Sequence, residues 1–147
     1  MRIRRLLATQ APAAVILLRL MVGAVFLSEG IQKFLFAAEL GVGRFTKIGI
    51  PAPELLAPFV GTCEIACGLL VLLGLLTRFA AVPLIAVMLV AIATTKIPML
   101  MSKGFWAMAH EARIDWSMLL GASYLLIVGA GAWSLDAMLR RRSLLDD

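Results

Sequence analysis

Phe59-Val60-Gly61-Thr62-Cys63-Glu64-Ile65-Ala66-Cys67-Gly68, continued from Leu69 to Leu76, reads as the body of a membrane-spanning helix. Yet it sets a carboxylate, two thiols and two glycines where a bilayer is driest. A carboxylate near the bilayer centre costs about 2.5–3.5 kcal/mol on insertion scales, so it normally faces the protein interior or a cavity and has a partner or a task. On a helical wheel Ala57, Gly61, Glu64, Gly68, Val71 and Leu75 share one face. The glycines let a neighbouring helix come close on the side where Glu64 points. Glu64 therefore either ties helices together or serves a ligand or a proton.

Composition extends this reading to the whole chain. Of 147 residues, 62% are hydrophobic and 16% charged, with a mean hydropathy of +0.98. A soluble domain is about half apolar and about a quarter charged. The expectation is an all-α integral membrane protein, one transmembrane domain over 1–147, with no length left for a soluble catalytic domain. The net charge of +5 does not point to nucleic acid, because the basic residues are scattered and flank apolar runs. Anionic lipid and membrane orientation account for them. Cys63 and Cys67 stand four apart on one helix, about 5–6 Å between Cβ atoms, beyond the roughly 3.5–4.5 Å of a disulfide. Free thiols are expected.

Working outward, Ala11 to Phe36 forms the first helix, too long for a cleaved signal segment. Arg19, Gly23, Phe26, Gly30 and Lys33 lie along one face, with Glu29 at its edge. Lys33 reads as a residue that snorkels to the interface, with Glu29 as an i,i+4 partner. Arg19 either reaches headgroups or pairs inside the bundle, where it is the first expected partner of Glu64, with Lys33 or Lys96 further out. Val42 to Ile48 mixes apolar residues with Arg44 and Lys47, which suits a segment in the headgroup region. Pro51 and Pro53 open the second helix, about 52–76. Thr77-Arg78 is a tight turn into a third helix over about 79–100, near whose end Lys96 either snorkels or pairs with Glu29. Met101 to Ile114 reads as a connection carrying the only histidine, His110, too few ligands for a metal. The fourth helix is expected over about 115–133, turning Ser117, Gly121, Tyr124 and Gly131 towards its neighbours. Ser134 or Asp136 then caps a short basic terminal helix. Arg2, Arg4, Arg5, Arg78, Arg140, Arg141 and Arg142 fall on one side. Arg44, Lys47, Lys103 and Arg113 fall on the other. The expected architecture is thus an antiparallel up-down four-helix bundle with both termini cytoplasmic, in the cell's inner membrane.

Nucleotide-binding and zinc-protease motifs are absent, a lone His110 cannot make a bis-histidine haem site, and two cysteines are too few for an iron–sulfur cluster. Any redox cofactor has to diffuse in, as a quinone does, or belong to a partner. Gly30, Gln32 and Lys33 closing the first helix, Gly49-Ile50-Pro51 before the second, Glu64 with Gly68 and Gly74, Thr77-Arg78, and Gly131 with Ser134-Leu135-Asp136 together resemble the DoxX family of small four-helix membrane proteins. That resemblance implies a membrane subunit tied to quinol oxidase or thiosulfate:quinone oxidoreductase complexes. It departs from the family at Glu29, where a histidine often stands, and at the two cysteines.

The expected function is an accessory or quinone-interacting subunit of a membrane oxidoreductase. The polar residues expected to build its ligand or proton pocket are Arg19, Glu29, Lys33, Glu64, Lys96 and Tyr124. The partners expected are the lipid bilayer, a redox protein and a further copy of the chain. The competing readings are a scaffold whose buried charges lock the helices, and a small transporter.

Overall fold

A computed structural model describes residues 12–143. The arginines at 2, 4 and 5 and the start of the first helix at Ala11 lie outside these residues, as does Asp147. The described chain is an all-α membrane bundle. Its elements are α1 (Val15–Leu35), the short α2 (Val42–Lys47), α3 (Pro53–Leu73), α4 (Thr77–Ala91), α5 (Ile97–Lys103), α6 (Phe105–Val128) and α7 (Leu135–Ser143). A π-helical segment, Ile92–Lys96, joins α4 to α5 without a break. Among the described residues, three stretches are long and apolar enough to cross a bilayer: Val15–Leu35, Pro53–Leu73 and Thr77–Lys103. The 24-residue α6 falls short by that measure because every 18-residue window of it holds Glu111, Arg113 and Asp115.

Glycine sets the tightest joint. A Cβ on Gly30 would sit 2.6 Å from the Gly61 carbonyl oxygen, and one on Gly68 would sit 2.7 Å from the Leu27 nitrogen. The α1 and α3 backbones are therefore in direct contact, as the Gly61–Gly68 face implies. Gly23 meets Gly68 and Gly30 meets Gly61, so the two helices run antiparallel. Below this joint the core is apolar, with Val22, Phe26, Val71, Leu84, Met118 and Leu125 almost wholly buried. Cys63 and Cys67 edge the same core as free thiols, their sulfurs 4.0 Å apart.

The end of the bundle where α1 begins is held by a latch. Gly74 closes α3 in a left-handed turn, with Leu75 N donating to Leu70 O, the Schellman pattern. Leu76, itself left-handed, leads into α4 with no capping side chain of its own. Asp136 supplies the cap from sixty residues away: Leu76 N donates to its Oδ1 at 2.8 Å and Thr77 N to its Oδ2 at 3.2 Å. Ser134 caps α7, accepting from Ala137 N at 3.1 Å. Both candidate caps are thus used, but only Ser134 on the terminal helix.

Several helix boundaries differ from the sequence-based expectation. The tight turn expected at Thr77-Arg78 falls at residues 74–76, and Thr77 and Arg78 already belong to α4. The stretch expected as a connection from Met101 to Ile114 is helical except around Gly104, and the last long helix begins at Phe105 and ends at Val128. Charge suggested a loop there. But Ala107, Met108, Ala109, Glu111, Ala112 and Arg113 are mostly strong helix formers, and Ala112 packs inward while His110 and Arg113 are exposed. The expected stripe on that helix is corrected as well. Gly121 is buried, but Ser117 and Tyr124 are exposed, and the packed face is Ala112, Met118, Ala122 and Leu125.

Candidate functional site

The glycine joint fixes the depth of every charge on α1 against α3. With Gly30 opposite Gly61 and Gly23 opposite Gly68, Glu64 is level with Leu27, and Arg19 is level with Leu72. That separates Arg19 from Glu64 by about 12 Å at 1.5 Å per residue, and puts Lys33 about 9 Å from Glu64 on the other side. The lean of the side chains decides between them. Helical side chains tilt towards their own N-terminus. Lys33 therefore leans back down α1 towards Glu64, Glu64 leans up α3 towards Lys33, and Arg19 leans away.

The result is a Lys33–Glu64 ion pair at 2.6 Å between side chains that are 12% and 2% exposed. The Arg19–Glu64 pair expected from the sequence does not form. Nor does Lys33 snorkel: its ammonium turns inward, donating at 3.5 Å to the Glu29 carbonyl and standing 3.9 Å from the Glu29 carboxylate. Arg19 is buried and spends its donors on backbone carbonyls. Nε donates to Val71 O at 2.9 Å and Nη2 to Leu72 O at 2.6 Å. Nη1 donates to Ala130 O at 3.3 Å and Trp133 O at 2.5 Å. It completes the latch, placing a cation at the C-terminal end of α3, where the helix dipole favours one.

On the facing wall the π-helical segment carries Lys96. Its extra residue per turn frees carbonyls, and Thr94 and Thr95 donate their hydroxyls to Val90 O at 2.8 Å and Ala91 O at 2.6 Å. Such π turns recur at functional sites. Lys96 is buried and pairs with Asp115 of α6 at 3.2 Å. This corrects both sequence readings of Lys96, snorkelling and pairing with Glu29. Asp115 was missed because the sequence reading started a helix there, which hid that it sits well inside one and faces the bundle.

Between the two pairs lies a cavity of about 510 Å³ at the end of the bundle opposite the latch. Glu29, Lys33 and Glu64 line one side, and Lys96, Asp115 and Glu111 another. Phe26, Phe45 and Phe59 are among its apolar walls, and α2 covers it with Phe45 turned in and Arg44 at the rim. Of the six residues expected to form a pocket, the cavity gathers Glu29, Lys33, Glu64 and Lys96. Arg19 belongs to the latch instead, and Tyr124, 42% exposed, lies outside the lining. An apolar chamber with an ammonium–carboxylate pair on each of two walls can both accept and donate hydrogen bonds and can hold a proton at Glu64.

Residues 14–97, more than half of the chain, match the DoxX family. The chain belongs to the DoxX family. It is also 55% identical over 145 residues to an uncharacterized membrane protein of Mycobacterium tuberculosis (strain ATCC 25618 / H37Rv), a similarity spanning 95% of this chain and 89% of that protein. No solved structure matches the chain. The DoxX match contains Glu29, Lys33, Glu64 and Lys96, while Asp115 and Glu111 lie beyond it on α6. The lining from α1, α2, α3, α4 and the π segment therefore lies within the DoxX match, and that from α6 lies beyond it.

Proposed function

We propose that this DoxX-family membrane protein is an accessory subunit of a membrane oxidoreductase, and that its cavity receives the ring of a quinone. The observation that carries this reading is the cavity itself, about 510 Å³, apolar for the most part, with Lys33 and Lys96 on different walls. Small-molecule sites are commonly about 300–1,000 Å³ with a few converging polar groups, and quinone carbonyls need donors. Titrating the detergent-solubilised protein with a short-tailed quinone, read by quenching of tryptophan fluorescence, should give saturable binding. Lys96→Met should weaken it at least about tenfold, as expected for losing a charged hydrogen bond worth about 1.5–3 kcal/mol. Absence of saturable binding to the wild-type protein would remove the quinone from this reading. The electron-transfer partner belongs to the same proposal, and a mild-detergent pull-down from native membranes should recover a redox enzyme.

A scaffold role has one observation in its favour: both ion pairs bridge separate segments, α1 to α3 and the π segment to α6. Under that reading Glu64→Gln lowers stability without any separate loss of ligand binding.

The membrane arrangement proposed with this function is a single domain over 1–147 with four crossings and both termini in the cytoplasm, in the inner membrane. The length of α6, about 36 Å at 1.5 Å per residue, supports the fourth crossing, since its three charges lie towards the cavity end. Arg78 and the Arg140–Arg142 run lie at the latch end, the side that the positive-inside rule assigns to the cytoplasm. A phosphatase reporter fused after Asp147 should be inactive and one inserted near Ser102 active; the opposite pattern reverses the orientation.

A further inference from the structure

The charges around the cavity are unevenly shared. Lys96 has Asp115 to itself at 3.2 Å, Arg44 and Glu111 are exposed at the rim, and Lys33 stands within reach of two carboxylates at once. Along Glu29, Lys33 and Glu64 the side-chain exposure falls from 52% through 12% to 2%. The steps between them are 3.9 Å and 2.6 Å. The last contact is the shorter of the two, with Glu64 Oε2 held against the Lys33 ammonium. A carboxylate has about four lone-pair sites, so Glu64 on the cavity wall keeps the capacity to take a proton beside that contact.

Towards the latch the situation is the reverse. Below Glu64 the described core is Phe26, Val22, Val71, Leu84, Met118 and Leu125, with Cys67 its only ionisable side chain. The next charged group is Arg19, whose guanidinium stays protonated in proteins and is committed to four carbonyls.

We infer that Glu64 exchanges protons with one face of the membrane only, the face bearing Glu29, and does so through Lys33. The Lys33 ammonium passes a proton to the Glu29 carboxylate through one water entering the cavity, since 3.9 Å is beyond direct transfer, and Glu29 releases it to water there. The neutral amine then takes a proton from protonated Glu64. One proton leaves Glu64, each group but Glu64 returns to its starting state, and no electrons move. The same hops run backwards to load Glu64. The remaining charged groups facing the cavity, Arg44, Lys96, Glu111 and Asp115, set the local field but are not links in this path.

This inference does not depend on which ligand fills the cavity, so the quinone titration and the following test fail separately. The full-length protein is reconstituted in one orientation in vesicles whose inner and outer pH are clamped independently. It is then treated with a membrane-soluble carbodiimide, which modifies protonated carboxyls, and Glu64 modification is quantified by mass spectrometry. Acidifying the Glu29 side should raise modification of Glu64 several-fold, and acidifying the latch side should leave it unchanged. Dependence on the latch side, or equally on both sides, overturns the one-sided access. For the path itself, infrared spectroscopy at a pH acid enough to protonate Glu64 follows its carboxylic acid band, assigned by its loss in Glu64→Gln, after transfer to heavy water. Glu29→Gln, an exposed change that leaves the ion pair in place, should slow that exchange at least about tenfold, the low end of what a positioned acid–base group contributes. An unchanged rate removes Glu29 from the path.

Discussion

Lys33→Met is expected to destabilise the detergent-solubilised protein by about 3–5 kcal/mol, the usual result of taking one partner from a buried pair and leaving the other charged. Glu64 is the member left behind, 2% exposed and with no other cation against it among the described residues. Methionine keeps the length of the lysine stem, so the loss reads the charge rather than a cavity. Glu64→Met should cost a similar amount. The double variant should recover most of both losses, because replacing a whole buried pair by apolar groups is often neutral or stabilising. Chemical or thermal unfolding of the four proteins gives the coupling energy directly. A coupling near zero would mean that the 2.6 Å contact contributes nothing and that Glu64 finds its partner elsewhere. Arg19→Met combined with Glu64→Met should show plain additivity, since the register sets those two residues about 12 Å apart along the helix axis.

Arg19→Met is expected to be at least as damaging, costing about 4 kcal/mol or more. The side chain holds four carbonyls, at Val71, Leu72, Ala130 and Trp133, and a buried polar group left without its partner costs about 1–3 kcal/mol. Water reaching the bundle end satisfies some of the freed carbonyls, which keeps the loss below the sum of four such penalties. Arg19→Lys discriminates a charge from a fork. An ammonium keeps the favourable interaction with the α3 C-terminus but lacks the planar set of five donors that reaches several carbonyls at once. It should restore less than half of the loss. Recovery of full stability by lysine in the same unfolding measurement would show that the charge alone matters.

The parts of this architecture legible in the sequence are those that depend on local pattern. Apolar runs gave the helices through α1, α3 and α4, and the Gly61–Gly68 face correctly announced a close neighbour. The direction in which Glu64 points was legible too. Its partner was not, because the choice between Arg19 and Lys33 turns on helix register and on the tilt of side chains towards their N-termini, neither visible in spacing alone. Asp115 escaped for a different reason: three charges within five positions look like a loop until the apolar back of that helix, at Ala112 and Met118, is seen to be covered. Asp136 shows the same limit over a longer range. Its composition marks a cap, but nothing in the neighbouring residues says that the helix it caps begins sixty positions earlier.

The latch also has an order of assembly. Arg19 and the Gly74–Thr77 turn leave the ribosome well before Ala130, Trp133 and Asp136, so two of Arg19's four acceptors and the whole cap of α4 are supplied by the last part of the described chain to be made. Until then the first three apolar segments sit in the bilayer with an incompletely bound guanidinium and an open helix start. A nascent chain stalled short of residue 130 is inserted but unfastened. Membrane quality control that senses unsatisfied polar groups would find in it a ready substrate, and the finished protein would no longer display that signal.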